Sequence, residues 1–200
     1  ISGLCRVMDG TGAAEPCQLA ARNLTDVQGL ARLMDTVHKY GTRMFIQLHH
    51  PGRQGSAMVG GQQPVSASAV PIPFTGETPR ALTIAEIGEI QEAFVKAARL
   101  AQMAGADGVE LHGAHGYLIN SFLSAYLNRR DDDYGGSFEK RLRFPREIIA
   151  GIRAACGKGF PLGVRISAEE FLGDRGNDLA ASCRIAAELV REAMLEYTHQ

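Results

Sequence analysis

The stretch Asp107–Ser137, DGVELHGAHGYLINSFLSAYLNRRDDDYGGS, places two histidines and a tyrosine directly after a short apolar segment. Residues 108–111 have the composition of a β-strand that follows a helix. His112, His115 and Tyr117 then come at the carboxyl end of that strand. Because ligands of α/β proteins bind at the carboxyl ends of the strands, these three side chains indicate an active site.

Helix and strand patterns alternate outward from this stretch. Thr25 or Asp26 is expected to cap the first helix, Thr83 and Glu86 form a capping box, and Pro145 predicts a kink or a restart in its helix. Repeated helix and strand units with apolar strands indicate an α/β fold with a parallel sheet. The predicted strands are 43–48, 108–112 and 161–167, with a truncated strand in 1–7 and the start of another at 195–198. The predicted helices are about 25–41, 83–104, 138–156 and 178–193. Residues 51–80 are predicted to form an irregular loop, and in a barrel its part from Met58 to Thr78 is expected to lie over the open end.

Two architectures agree with this alternation, a TIM (β/α)8 barrel and an open doubly wound sheet. No G-x-G-x-x-G or G-x-x-x-x-G-K-[ST] motif follows a strand, which disfavours the nucleotide-binding open sheets. Several different strands instead end in polar side chains, as barrel active sites require. These side chains are Gln47, His49, His112, His115 and Arg165. We therefore expect residues 1–200 to form one partial barrel domain.

Composition excludes several classes of protein. The 200 residues are 45% hydrophobic, and 21 basic side chains nearly balance 22 acidic ones, so neither nucleic acid nor an anionic membrane is an expected partner. No segment approaches the roughly 20 apolar residues of a membrane span. The four cysteines form no metal-binding spacing, and a cytoplasmic location is expected. The chain opens inside an apolar segment without an initiator methionine or a signal peptide, which suggests a fragment.

Five features of the sequence stand out together. They are Gln47–Arg53 (QLHHPGR), His112–Tyr117, the N-x-R-x-D-x-Y-G-G-S run of Asn128–Ser137, Arg141–Phe144, and Arg165. Together they resemble the Old Yellow Enzyme family of FMN-dependent ene-reductases. The resemblance covers essentially the whole chain and is strongest to the bacterial NADH:flavin oxidoreductases that include 2,4-dienoyl-CoA reductases and bile-acid enoate reductases. It implies a TIM barrel of which this chain supplies about strands two to five and possibly the start of strand six.

The resemblance also implies a set of flavin contacts. Gln47 matches a glutamine that binds the pyrimidine edge of FMN, where an amide can both donate and accept a hydrogen bond. Arg165 matches an arginine near flavin N1 and O2, where a permanent cation would stabilise the negative charge of the reduced ring. Gly3 matches a small residue beside the isoalloxazine.

By the same resemblance, His112 and His115 donate hydrogen bonds to the activating oxygen of an unsaturated carbonyl or enoate substrate. Tyr117 matches the phenol that protonates the α-carbon, a role that suits a group with a pKa near ~10. NADH or NADPH is the implied reductant, and the two half reactions share one site, which gives ping-pong kinetics. From the residues alone, an ion pair with Glu169 or Glu170 is the alternative to the flavin contact of Arg165.

Two other classes of function remain open from the residues. A metal-dependent barrel hydrolase could use His112 and His115 as zinc ligands, although no third ligand follows a recognised spacing. The second open class is a truncated chain without catalytic activity. Because a complete barrel takes about 250 residues and binds phosphate after its last strands, we expect the 200-residue chain alone to be inactive or to hold FMN poorly. Its uncovered strand faces would favour association, including a homo-oligomer.

Overall fold

A computed structural model describes residues 1–72 and 77–194. No helix within these residues combines the length and the apolar character needed to cross a membrane. The strands are β1 (Leu4–Arg6), β2 (Leu19–Ala20), β3 (Phe45–His49), β4 (Val65–Ser66), β5 (Arg80–Ala81), β6 (Gly108–Gly113) and β7 (Leu162–Ile166), and the helices are α1 (Leu24–His38), α2 (Ala57–Gly60), α3 (Ile84–Met103), α4 (Leu118–Leu123), α5 (Phe138–Cys156) and α6 (Leu179–Met194).

The main sheet is parallel and has the order β2-β1-β3-β6-β7, while β4 and β5 form a separate pair. Gln47 lies opposite Glu110, and His112 lies opposite Arg165. Because alternate residues of a strand share a face, these four side chains and His49 project from the same side of the sheet. The register therefore collects the polar side chains of three strands on one face.

The opposite face of the sheet is apolar and forms the core with the helices. Leu48, Val109 and Leu111 are fully buried there. Helices α3 and α5 pack against each other behind the strands, and Gly151 of α5 approaches the side chain of Val95 so closely that an added Cβ would lie 2.5 Å from it. A sheet with one polar face and one apolar face against the helices is the arrangement that positions a site inside a barrel.

Most predicted helices are confirmed, with differences at their ends. The capping box of Thr83 and Glu86 is present at the start of α3. The predicted cap of α1 was wrong, because the side chain of Asn23 accepts the hydrogen bond from the backbone of Thr25, while Asp26 pairs with Arg22. Helix α1 also ends at His38 and not near residue 41.

Pro145 does not restart its helix, since α5 continues without interruption from Phe138 to Cys156. A proline removes one backbone donor. The residues on either side, Leu142, Phe144 and Ile148, are all fully buried, so packing stabilises the helix across the missing bond.

Two further differences concern short elements. β2 was not predicted, because two residues are too few to show a strand period. The loop predicted over residues 51–80 contains a 3-10 turn (Gly52–Gln54), α2 and the two short strands β4 and β5. Residues 73–76 of that loop and the predicted strand start at 195–198 lie outside the described residues.

The run Arg129–Asp133 contains a salt-bridged turn. Arg130 pairs with Asp132 at 2.5 Å, and Ser137 caps α5 by accepting a hydrogen bond from the backbone of Lys140. Arg130 also donates to the carbonyl oxygens of Ala67 (2.9 Å) and Leu82 (2.7 Å). One guanidinium thus connects this turn to the residues that directly follow β4 and β5.

Candidate functional site

The loop after β6 is held in an unusual conformation that presents His115. His115 itself has a φ of 59°, in the left-handed region that residues with a Cβ seldom adopt. Its backbone N–H donates to Ser167 Oγ at 3.0 Å, and its carbonyl oxygen accepts a hydrogen bond from the side chain of Gln54. The next backbone N–H, of Gly116, donates to Asn120 Oδ1 at 2.6 Å. Three elements therefore fix the backbone that carries this imidazole.

The loop after β3 packs directly against the one after β6. Leu118 donates its backbone N–H to the carbonyl oxygen of His50 at 3.2 Å. Gly52 has a φ of 59°, and an added Cβ would lie 2.8 Å from the Cα of Leu118. Only glycine permits this approach at Gly52. The glycine of the QLHHPGR motif therefore brings the two strand ends into contact next to Tyr117.

Four aromatic rings form one cluster at this edge of the sheet. The ring of Tyr117 lies 4.4 Å from that of His49, 4.9 Å from His112 and 6.4 Å from His115, measured between centroids. The rings of His112 and His115 are 5.1 Å apart. All of these contacts are edge to face. The three residues predicted to be catalytic are thus brought together, and His49 joins them.

His112 is a neutral imidazole that presents a donor. Burial, and then the charges of His115 and Arg165, lower its pKa from 6.5 to about 4. Its Nδ1 accepts the backbone N–H of Ala114 at 3.3 Å, which places the ring proton on Nε2. Among the described residues no acceptor meets that Nε2–H. The ring can therefore donate to an external oxygen at neutral pH.

Tyr117 is a phenol whose hydroxyl is uncommitted within the described part of the chain. Burial, and secondly the charge of Glu15, raise its pKa above the ordinary value. The hydroxyl therefore keeps its proton at neutral pH and can act as an acid.

Two of the predicted flavin contacts, Gln47 and Arg165, project from the polar face of the sheet, and Gly3 directly precedes β1. Gln47 is buried, and its amide donates to Glu110 Oε1 at 2.6 Å, while its carbonyl oxygen accepts no hydrogen bond from the described residues. Arg165 is exposed and makes no ion pair with Glu169 or Glu170 in the described chain. An added Cβ at Gly3 would meet no atom within 4 Å. An unpaired cation, an open carbonyl oxygen and free space above the glycine suit a planar, hydrogen-bonding group such as FMN.

A cavity of about 400 Å³ opens beside His115. Apolar side chains including Ile72, Leu127 and Leu172 line it, and Arg53 contributes a cation whose Nη1 has no hydrogen-bond partner. Gln47, Arg165 and Gly3 do not line this cavity. Of the residues predicted for the site, His115 is the one that lines this cavity.

Two polar residues of this site received no role of their own from the sequence, His49 and Glu110. His49 was named only among the polar side chains at the strand ends, and Glu110 was not singled out. Strand alternation could have found both, since His49 lies two residues after Gln47 and Glu110 lies two residues before His112. Within the described residues, no group of three or more His, Cys, Asp or Glu side chains could hold a metal ion, so a third zinc ligand does not join His112 and His115 there.

Comparison with known proteins agrees with this geometry. The model of the NADH:flavin oxidoreductase / NADH oxidase family matches residues 2–198. The NADH oxidase of Thermoanaerobacter brockii is 48% identical over 184 residues, which are 92% of this chain and 28% of that protein. The cinnamate reductase of Clostridium sporogenes is 41% identical over 145 residues, which cover 71% of this chain and 22% of that protein.

The solved structure of the Old Yellow Enzyme homologue from Zymomonas mobilis superimposes with a TM-score of 0.83 and 30% identity, over 95% of this chain and 56% of that chain. The chain thus spans between about a quarter and half of the length of these relatives. The predicted partial TIM barrel and the resemblance to the Old Yellow Enzyme family are confirmed. The chain therefore belongs to the NADH:flavin oxidoreductase / NADH oxidase family, whose members work with FMN and with NADH or NADPH as the reductant.

Proposed function

We propose that the protein containing this chain reduces the activated C=C bond of α,β-unsaturated carbonyl compounds or enoates. The observation that carries the proposal is the pairing of a neutral hydrogen-bond donor, His112, with a protonated phenol, Tyr117, at 4.9 Å between ring centroids. Reduction of such a bond requires a donor at the carbonyl oxygen and an acid at the α-carbon. Both groups stand at the carboxyl edge of one sheet.

Two residues of the polar face and the glycine before β1 would hold FMN. The carbonyl oxygen of Gln47 is open to a donor, the guanidinium of Arg165 offers a positive charge, and Gly3 leaves room for a ring. When bound, FMN supplies the hydride chemistry that links the nicotinamide to the unsaturated substrate.

His112 and His115 would bind the substrate oxygen. The Nε2–H of His112 has no acceptor within the described chain, and the backbone of His115 is fixed by three hydrogen bonds with its neighbours. As hydride adds to the β-carbon, negative charge gathers on the carbonyl oxygen, and preorganised donors stabilise that charge. The positive field of Arg165, which lowers the pKa of His112, acts in the same direction.

Tyr117 would deliver the proton to the α-carbon. Its raised pKa keeps the phenol protonated over the physiological range. The remainder of the substrate would occupy the cavity beside His115, whose apolar side chains suit a hydrocarbon group. The relative named cinnamate reductase supports an aromatic enoate as one member of this substrate class.

The test is to replace His112 and His115 together by alanine in the full-length, flavin-loaded protein. Loss of the donors to a developing oxyanion should lower kcat/KM for cinnamate and for 2-cyclohexenone by at least about 100-fold. Reduction of the bound flavin by NADH or NADPH, followed anaerobically from its absorbance, should change little. His38→Gln is the matched control, because His38 pairs with Asp107 at the other end of β6.

Retention of parental turnover by the double variant, with FMN still bound, would refute the assignment of the two histidines. We also expect the 200-residue chain by itself to be inactive and to bind FMN weakly. Its β7 is an edge strand, and the apolar groove that Leu162, Val164 and Ile166 form with α6 is open. Titration of the chain with FMN, read from flavin fluorescence, measures this directly.

A further inference from the structure

His49 is a buried imidazole with one unsatisfied nitrogen. Its side chain has no exposed surface, and its Nε2 has no hydrogen-bond partner. A buried polar nitrogen without a partner is rare in proteins and requires an explanation. His49 lies on β3, two residues after Gln47, and its ring is 5.6 Å from that of His112.

Gln18 determines which nitrogen of His49 carries the proton. The backbone N–H of Ala14 donates to Gln18 Oε1 at 3.0 Å, so the other end of this amide is the NH2 group. That NH2 group donates to His49 Nδ1 at 3.3 Å. Burial, followed by the charges of His112 and His50, lowers the pKa of His49 to about 3, which keeps the ring neutral. The single ring proton is therefore on Nε2, and the unsatisfied atom is a donor.

The ring of Tyr117 is closer to the imidazole of His49 than the ring of His112 is. The two centroids are 4.4 Å apart, and the ring planes meet at 86°. The face of a phenol ring is electron-rich and attracts the positive edge of a perpendicular neighbour, including an N–H group. Because the side chain of His49 is completely enclosed, neither solvent nor substrate can offer its Nε2–H another acceptor.

The hydroxyl of Tyr117 makes no hydrogen bond with the described residues, so contacts of the ring must determine where the phenol points. Of the three neighbouring imidazoles, His112 and His115 are assigned to the substrate, and His49 makes the shortest contact. We propose that His49 is a positioning residue, whose Nε2–H donates to the ring face of Tyr117 and so holds the phenol in place for proton transfer. This inference rests on the proposed role of Tyr117 as the proton donor.

The sharpest test is Gln18→Glu in the flavin-loaded, full-length protein. A glutamate keeps the acceptor for the N–H of Ala14 but replaces the NH2 group by a second acceptor, so His49 should move its proton to Nδ1. The lone pair of Nε2 would then face the ring of Tyr117 and repel it. Gln63→Glu is the matched control, because Gln63 is exposed and donates only to the carbonyl oxygen of Thr78.

Three readouts follow the change. The 15N shifts of the imidazole report the tautomer of His49, and the 13C shift of the labelled phenol reports the environment of Tyr117. Rapid mixing separates the two half reactions. We expect Gln18→Glu to exchange the two 15N shifts, to move the Tyr117 signal, and to slow oxidation of the reduced enzyme by 2-cyclohexenone by about ten- to a hundredfold. Reduction by NADPH should remain unchanged, and Gln63→Glu should resemble the parent in every readout.

If Gln18→Glu does not change the tautomer of His49, a second pair of variants tests the role of His49. His49→Phe keeps a perpendicular ring and removes the N–H donor, while His49→Ala removes both. The rate at which 2-cyclohexenone oxidises the reduced enzyme should fall from the parent to His49→Phe and fall again in His49→Ala. An unaltered Tyr117 signal and an unaltered enone rate in His49→Ala would overturn the inference. Failure of Tyr117→Phe to slow the enone step would instead refute the proposed role of Tyr117, while the 13C shift still tests the contact.

Discussion

The polar groups at the two ends of strand β6 differ in whether they have hydrogen-bond partners within the protein. At the amino end, Asp107 accepts hydrogen bonds from the backbone of Met44 at 2.7 Å and from His38 at 2.8 Å, so both donors are satisfied within the protein. At the carboxyl end, His112 presents a donor and Tyr117 a hydroxyl without an acceptor in the described chain. Polar groups that satisfy one another stabilise a fold, whereas groups left unsatisfied are available to a ligand.

Tyr117→Phe should produce the largest difference between the ends. Removal of a general acid typically costs about 10²- to 10⁴-fold in the step it serves. We therefore expect oxidation of the reduced enzyme by an enone to slow to that extent, while reduction by the nicotinamide is retained. Rapid-mixing absorbance measurements on the flavin separate the two steps. Equal slowing of both steps would show that the phenol supports the site as a whole and not proton transfer.

The two ends should also differ in how they make the free energy of unfolding depend on pH. His49 and His50 have pKa values of about 3, and His112 has one of about 4, each lowered from 6.5 first by burial. Below pH 6.5 the unfolded chain binds protons that the folded chain does not. Each histidine then lowers the free energy of unfolding by up to about 1.4 kcal/mol per pH unit, until the pH reaches its folded pKa.

The amino end should not contribute in that window, because the pKa of Asp107 is lowered from 3.8 by hydrogen bonds from Met44 and His38, and its stabilisation is lost only at lower pH. Urea unfolding at pH 7.5, 6.0 and 5.0 measures the slope, and His112→Asn should remove about one third of it. A stability that is constant between pH 7.5 and 5.0 would contradict burial of the neutral rings.

Asp107→Ala should destabilise the fold and leave the catalytic edge intact. The substitution removes the acceptor of the Met44 N–H and of His38, and loss of a partner for a part-buried donor costs about 1 to 3 kcal/mol. Asp107→Asn keeps one acceptor oxygen and should cost less. Urea unfolding at pH 7.5 gives the free energies, and turnover by the folded fraction should match the parent. Lost turnover in a folded variant would mean that the two ends are coupled.

His38→Gln should have the smallest effect. His38 is partly exposed and contacts Asp107 at the surface, and exposed ion pairs contribute about 0 to 1 kcal/mol. The free energy of unfolding should fall by less than this limit, with unchanged turnover. A larger loss would indicate that the amino end depends on this imidazole more than its exposure suggests.

The sequence predicted the carboxyl end of β6 better than it predicted the face of the sheet. His112, His115 and Tyr117 are close in the chain, so their strand and the following loop bring them together whatever the rest of the fold does. Gln47 and Arg165 lie on two other strands and Gly3 directly precedes a third, so their positions relative to His112 depend on register. Pairing of Gln47 with Glu110 and of His112 with Arg165 is a property of the assembled sheet, which a single sequence does not specify.

His49 shows a different limit. The sequence placed it among the polar strand ends and gave it no role of its own, although its alternation with Gln47 was already visible. Its protonation state depends on Gln18, which is 31 residues away in the chain, and no local pattern links the two. Local signals likewise placed the cap of α1 at Thr25 or Asp26, because they did not include the pairing of Asp26 with Arg22.

Arg130 gives the Asn128–Ser137 motif a structural role. Its guanidinium holds the carbonyl oxygens of Ala67 and Leu82 together, and these residues flank the segment that contains Ile72, a wall of the cavity beside His115. Both ends of that segment are thus held by one side chain. Substitutions between these two points would therefore change the wall of the cavity and leave His115 in place, because Ser167 and Gln54 hold its backbone.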